Sequence, residues 1–257
     1  MKLSIILVLF IASSAVCFGA DLTQEIKTPD GFTIRLPSNW TAIPKDVLDA
    51  YSDAVAKMAP NVEKQTYAYG FQLSSAQNWL TYPYILIQVK RTGRVPEAQL
   101  KSIKQVQQGL DKGIAKAQDS MSKMVSDARF GETIYDPTSH ILFTQIGMDV
   151  KEVGLVKGLI ALLLTEEGMI QIAGYAKATE FADSVPIFEG ISRGVIIEDH
   201  LKYQSRISDA IPVVAGINWG NVLSNAIRGA IIGGAIALIT GLFRKKKAIG
   251  GKDGGSP

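Results

Sequence analysis

Apolar and polar positions along this chain follow two periods, and the period changes at turn-forming residues. Leu22 to Lys27 reads as a strand, and Thr28-Pro29-Asp30-Gly31 is a turn by composition. Phe32, Ile34 and Leu36 then alternate with Thr33 and Arg35, the signature of a half-buried strand that ends at Pro37-Ser38-Asn39-Trp40. Between Pro44 and Met58 the apolar residues Val47, Leu48, Tyr51, Val55 and Met58 fall at helical spacing, with Pro44 suited to a first turn. Thr66 to Leu73 and Tyr84 to Val89 read as further strands, the latter rich in β-branched residues.

From Pro96 to Ala128 the steps of three and four return. Leu100, Ile103, Val106, Leu110, Ile114, Ala117, Met121, Met124 and Ala128 predict one amphipathic helix, bent near Gly109 or Gly113. As a straight rod it would run about 50 Å, longer than a small domain. Strands are expected over Glu132 to Tyr135, Ser139 to Ile146, Leu155 to Leu164 and Met169 to Tyr175. The last two form a hairpin about Thr165-Glu166-Glu167-Gly168. A helix over Glu180 to Ile191 and a strand over Gly194 to Asp199 close the region. Hairpin strands grouped between helices imply an α+β domain over residues 21–205, with a mostly antiparallel sheet flanked by helices.

Both ends are more apolar than this domain. Lys2, the run Leu3 to Ala12 and the small residues that follow have the layout of a secretory signal peptide over residues 1–20. An uncleaved N-terminal anchor is the alternative. A lipoprotein reading would acylate Cys17, but Val16 stands where a small residue is needed. Cys17 is the sole cysteine, so an intrachain disulfide is excluded.

At the other end, Gly229 to Phe243 is uncharged between Arg228 and Arg244. Fifteen helical residues rise about 22 Å, short of a ~30 Å hydrocarbon core. Extension upstream past a snorkelling Arg228 gives a span at 222–243 after a linker at 206–221. Trp219 would sit at the outer interface, and Arg244, Lys245, Lys246 and Lys247 would hold the 244–257 tail in the cytoplasm. Export and positive-inside bias then agree on one single-pass topology in a cell (inner) membrane, with the domain extracytoplasmic, in a periplasm-type compartment. A core helix or a membrane-surface helix is the competing reading. Gly229, Gly233, Ala237 and Gly241 recur every four residues, a small-residue face on which two helices can approach closely. Self-association through this face is expected if the segment spans a membrane. A glycine-zipper pore is the stronger form, although Thr240 alone could line it.

Charge sharpens this division. The chain of 257 residues has a net charge of +3 and a mean hydropathy of +0.15. Residues 21–209 carry 20 basic and 23 acidic side chains, so the positive balance belongs to the ends. A mildly acidic exposed domain argues against a nucleic-acid partner.

Catalytic and metal motifs are lacking. His140 and His200 have no metal-ligand spacing, and no Walker loop, G-x-G-x-x-G or G-x-S-x-G is present. No cofactor is implied. Glu166-Glu167 is an adjacent acid pair whose side chains should diverge from a turn. Asn39-Trp40-Thr41 matches a glycosylation sequon, relevant only in a eukaryotic secretory route. Trp40, Trp79, Tyr82 and Tyr84 are candidates for an aromatic recognition surface, with core packing the alternative for Trp40.

The run Gly31-Phe32-Thr33-Ile34-Arg35-Leu36-Pro37-Ser38-Asn39-Trp40 resembles the opening of PsbP/Mog1-like domains. A later hairpin through Gly168, a helix with Phe181 and Phe188 and a closing strand near Val195 follow the same order. The likeness covers about residues 22–203, with the 96–128 helix as an elaboration. It implies an α/β/α sandwich and a non-enzymatic accessory role. The expected protein is therefore a membrane-anchored extracytoplasmic binding or assembly-accessory protein with an unidentified protein partner. The alternatives are an enzyme, hydrolase-like, with an unrecognised site in the domain, and a self-associating glycine-zipper protein whose domain is a plug or spacer.

Overall fold

The structure is a computed structural model that describes residues 21–58, 64–96, 124–206 and 233–234. The chain order is β1 (Gln24–Lys27), β2 (Phe32–Leu36), β3 (Trp40–Ala42), α1 (Lys45–Met58), β4 (Tyr69–Leu73), β5 (Tyr84–Lys90), β6 (Val125–Asp136), β7 (Ile141–Val150), β8 (Gly154–Thr165), β9 (Gly168–Lys177), α2 (Phe181–Arg193) and β10 (Ile196–Ile197). Gly233 and Gly234 are also helical. A seven-stranded sheet has the order β3-β4-β5-β9-β8-β7-β6, and a three-stranded sheet has the order β1-β2-β10. Every strand pair among the described residues is antiparallel.

The centre of the large sheet is covered on both sides, so its strands read as nearly continuous apolar runs. Along β5, Tyr84 and Leu86 face one cluster while Ile85 and Ile87 face the other. Along β9, Met169, Ala173 and Tyr175 oppose Ile170, Ile172 and Ala176. On the first face lies α1, through Leu48, Tyr51 and Val55. Asp46 in its first turn and Lys57 in its last complement the helix dipole. On the second face lie α2, through Phe181, Phe188 and Ile191, and the small sheet, through Phe32, Ile34 and Leu36. Gly174 allows this contact: a Cβ there would lie 2.5 Å from the Phe188 ring.

The antiparallel α+β arrangement agrees with the alternation. The three-layer sandwich fits only roughly, because one outer layer combines α2 with a second sheet. Gly194 to Asp199 does not extend the main sheet; Ile196 and Ile197 pair with Thr33 and Phe32 of β2. Trp40, read with Pro37-Ser38-Asn39 as the stretch that ends β2, instead starts β3, an edge strand on β4.

The largest correction concerns the helix expected over Pro96 to Ala128. Residues 97–123 lie outside the described residues, but Val125–Asp136 is one strand. Its register shifts between Val125 and Asp127 and again between Phe130 and Thr133. The first bulge inserts an extra residue, so the buried positions Val125 and Ala128 stand three apart and imitate helical spacing.

The expected signal peptide and basic tail lie outside the described residues, as do the linker apart from Arg206 and the 222–243 span apart from Gly233 and Gly234. Among the described residues no helix is long and apolar enough to cross a membrane.

Candidate functional site

The face of the large sheet shared with α1 is lined with tyrosines. β5 and β9 pair Tyr84 directly with Tyr175, and the rings lie 5.4 Å apart. Tyr82 stacks on Tyr84 at 5.0 Å, and Tyr51 of α1 meets Tyr67 at 5.7 Å. Gly158, opposite Tyr175 on β8, leaves room for that ring: a Cβ there would approach it to 3.0 Å.

The loop that carries Tyr82 is held from beneath. Gln72, fully buried and paired with Tyr84 in the β4–β5 register, donates to the Asn78 carbonyl at 2.8 Å. Its Oε1 accepts from the Leu80 amide at 2.6 Å. A single buried amide thus satisfies two backbone groups of this loop.

Gly233 and Gly234 rest on these tyrosines. The Tyr84 hydroxyl donates to the Gly233 carbonyl at 2.7 Å, and the Tyr82 hydroxyl donates to the Gly234 carbonyl at 2.5 Å. Both glycines are buried. A Cβ on Gly233 would lie 2.6 Å from Tyr175 Oη, and one on Gly234 would lie 2.0 Å from Met148 Cε. Burial pushes the Tyr51, Tyr84 and Tyr175 phenols well above their ordinary range, with further upward pressure from neighbouring tyrosines. They remain hydroxyl donors at neutral pH.

A second feature lies beside the first turn of α1, at Lys45 and Leu48. Ile26, Pro29, Ala42, Ile43, Tyr69 and Phe71 are among the residues lining an apolar cleft of about 470 Å³. Asp30 is the carboxylate on its wall. It accepts from Tyr69 Oη at 2.6 Å and from Arg91 at 2.8 Å. Burial raises the Asp30 pKa, but these hydrogen bonds and the Arg91 charge outweigh it and hold the carboxyl below its usual range. Burial together with Asp30 pushes the Tyr69 phenol up to about 12. These shifts keep Asp30 ionised and Tyr69 protonated, the states of a structural ion-pair network rather than of a proton donor poised near neutrality.

The adjacent acids Glu166 and Glu167 diverge, as their turn position predicts. Glu166 pairs with Arg94 at 3.0 Å and with Arg206, while Glu167 pairs with Arg91 at 3.3 Å. Glu166 is not simply solvated: its side chain is 18% exposed and also accepts from the Gln204 amide at 3.0 Å. His140 lies against the Tyr203 ring, and His200 lies on the surface near Glu198. Among the described residues no group of three His, Cys, Asp or Glu side chains is set to hold a metal ion.

Of the four aromatics singled out in the sequence, Tyr82 and Tyr84 share one surface. Trp79 packs at the margin of the same cluster, and Trp40 is core on the other face, edge-on to Phe188. Gly233 contacts the sheet; Gly229, Ala237, Gly241, Trp219, Arg244, Lys245, Lys246 and Lys247 lie outside the described residues. Sequence reasoning missed Tyr175, Met148 and Gly234. Tyr175 and Met148 sit in alternating strands like any core residue; only the Gly233-Gly234 doublet carried a local signal.

No family model matches the chain, and no curated protein matches it. Among solved structures, the chain is similar to the solution structure of cyanobacterial PsbP (CyanoP) from Synechocystis sp. PCC 6803. The TM-score is 0.42 at 9% identity, over 68% of this chain and 91% of that one. The likeness is weak and is one of fold alone.

Proposed function

We propose that this chain is a membrane-anchored, extracytoplasmic binding or assembly-accessory protein that works without catalysis. The observation that carries this reading is the tyrosine face. Two aligned hydroxyls that meet the carbonyls of successive glycines make a surface suited to a helix backbone that presents no side chain. Such a surface recognises shape and backbone polarity rather than a reacting group. Asp30, Asp136 and Glu166 are each engaged by an arginine, which fits scaffolding better than acid–base work. The apolar exported N-terminus, the uncharged C-terminal stretch and the following basic cluster support the single-pass topology.

The test is topology. In cells that express the full chain, the protein should stay in the membrane fraction after an alkaline wash. Protease added to spheroplasts should digest the domain and spare the basic tail. Recovery of both the mature wild type and its Gly234→Leu variant only in a soluble fraction defeats the anchor. For self-association, replacing Gly233 and Ala237 with Leu should reduce crosslinked oligomers in membranes; unchanged crosslinking removes that part of the proposal.

A further inference from the structure

We infer that the Tyr82–Tyr84–Tyr175 face is a docking site for the chain's own C-terminal apolar segment, seated through Gly233 and Gly234, and that docking excludes membrane insertion of that segment. The second half rests on the membrane-anchor reading proposed above; the first does not.

The fit is specific to this doublet. Both carbonyls are taken by hydroxyls of neighbouring rings, at 2.7 and 2.5 Å. A helical carbonyl has a second lone pair, so it can accept such a bond without giving up its backbone partner. A Cβ on either glycine would require the Met148 methyl or the Tyr175 hydroxyl to shift. The site also needs an occupant. Tyr84 is fully buried, and a buried hydroxyl without a partner is costly. If the segment left, Tyr82, Tyr84, Tyr175 and Met148 would form an exposed aromatic patch that water or another helix must cover.

Exclusion follows from geometry. Gly233 is also the second member of the small-residue face Gly229, Gly233, Ala237 and Gly241. Gly233 can lie against the sheet or against another helix, but not both. An apolar segment held on the domain is likewise unavailable to the bilayer. The domain therefore acts as a holder for its own anchor, and release couples membrane insertion to exposure of the tyrosine face.

The experiment uses the full mature chain, wild type and the double variant Tyr82→Phe/Tyr84→Phe, which removes both hydroxyls with little change in volume. Gly234→Leu is a second variant that blocks seating sterically. Hydrogen exchange of peptides containing Gly233 and Gly234 reads docking. Flotation with phosphatidylcholine–phosphatidylglycerol vesicles reads insertion. In both variants exchange of those peptides should speed by about tenfold, the rest of the domain should keep its protection, and the vesicle-bound fraction should rise severalfold. Unchanged exchange of those peptides in both variants overturns the docking site. Faster exchange without vesicle binding confirms docking and overturns both the exclusion and the anchor reading. Equal vesicle binding by wild type and variants, with wild-type peptides still protected, overturns the exclusion alone.

Discussion

The two faces of the large sheet are both buried but are built from different materials. The α2 face is assembled from Phe, Ile, Leu and Trp side chains, with Gly174 making room for Phe188. The α1 face carries Tyr51, Tyr67, Tyr84 and Tyr175, and on it Gln88 and Gln171 face each other across the β5–β9 register. Hydrocarbon packing is non-directional and tolerates only changes that conserve volume. Phenols contribute similar apolar area but also hydroxyls that must find acceptors, so they specify what may lie on them. Both faces hold the fold together through buried hydrocarbon, and the tyrosines of the α1 face in addition specify what lies on them.

Alkali should separate the faces most sharply. Burial raises the Tyr51, Tyr84 and Tyr175 pKa values in the folded state above the unfolded value of about 10. The fold therefore pays no penalty below pH ~10 and loses stability as pH rises beyond it, because only unfolding lets these phenols ionise. Phenolate absorbance of the buried tyrosines should rise together with loss of circular dichroism. A rise that precedes unfolding would show that the tyrosine face is open to water.

Truncation of the other face comes next. Phe188→Ala should cost about 3–5 kcal/mol in denaturant unfolding, and Gly174→Ala about 1–3 kcal/mol through collision with the same ring. Neither should alter hydrogen exchange at Gly233 and Gly234 while the domain remains folded. A change there would mean that the faces are not independent. Tyr84→Phe should cost only about 1 kcal/mol of global stability and act mainly on exchange at the glycines. The smallest effect is expected at the surface pair Arg129–Asp127, where the Arg129 side chain is 82% exposed. Arg129→Ala should shift the unfolding midpoint by no more than about 0.5 kcal/mol equivalent.

Much of the fold was legible. β2, α1, β5, the β8–β9 hairpin and α2 follow from alternation, helical spacing and turn residues that agree locally. The start of β6 was not legible, because a bulge between Val125 and Asp127 gave a strand the spacing of a helix. β10 showed its type but not its sheet, since two residues carry no record of which strand they will join. Within the candidate site, Tyr82, Tyr84 and Gly233 were visible as unusual residues in separate segments. Their meeting was not, because 149 positions separate Tyr84 from its acceptor.

By itself, the sequence determined the local periods, the division into an acidic domain and apolar, basic-flanked ends, and the residues free of side chains at 233 and 234. Only the tertiary structure decided that both faces of the sheet are covered, that Glu166 and Glu167 serve different arginines, and that two tyrosines bind the glycine doublet. The physical reason is directionality. Hydrophobic pattern is written along the chain and survives reading one residue at a time, whereas a hydrogen bond or a close approach exists only between partners, and the fold alone brings those partners within 3 Å.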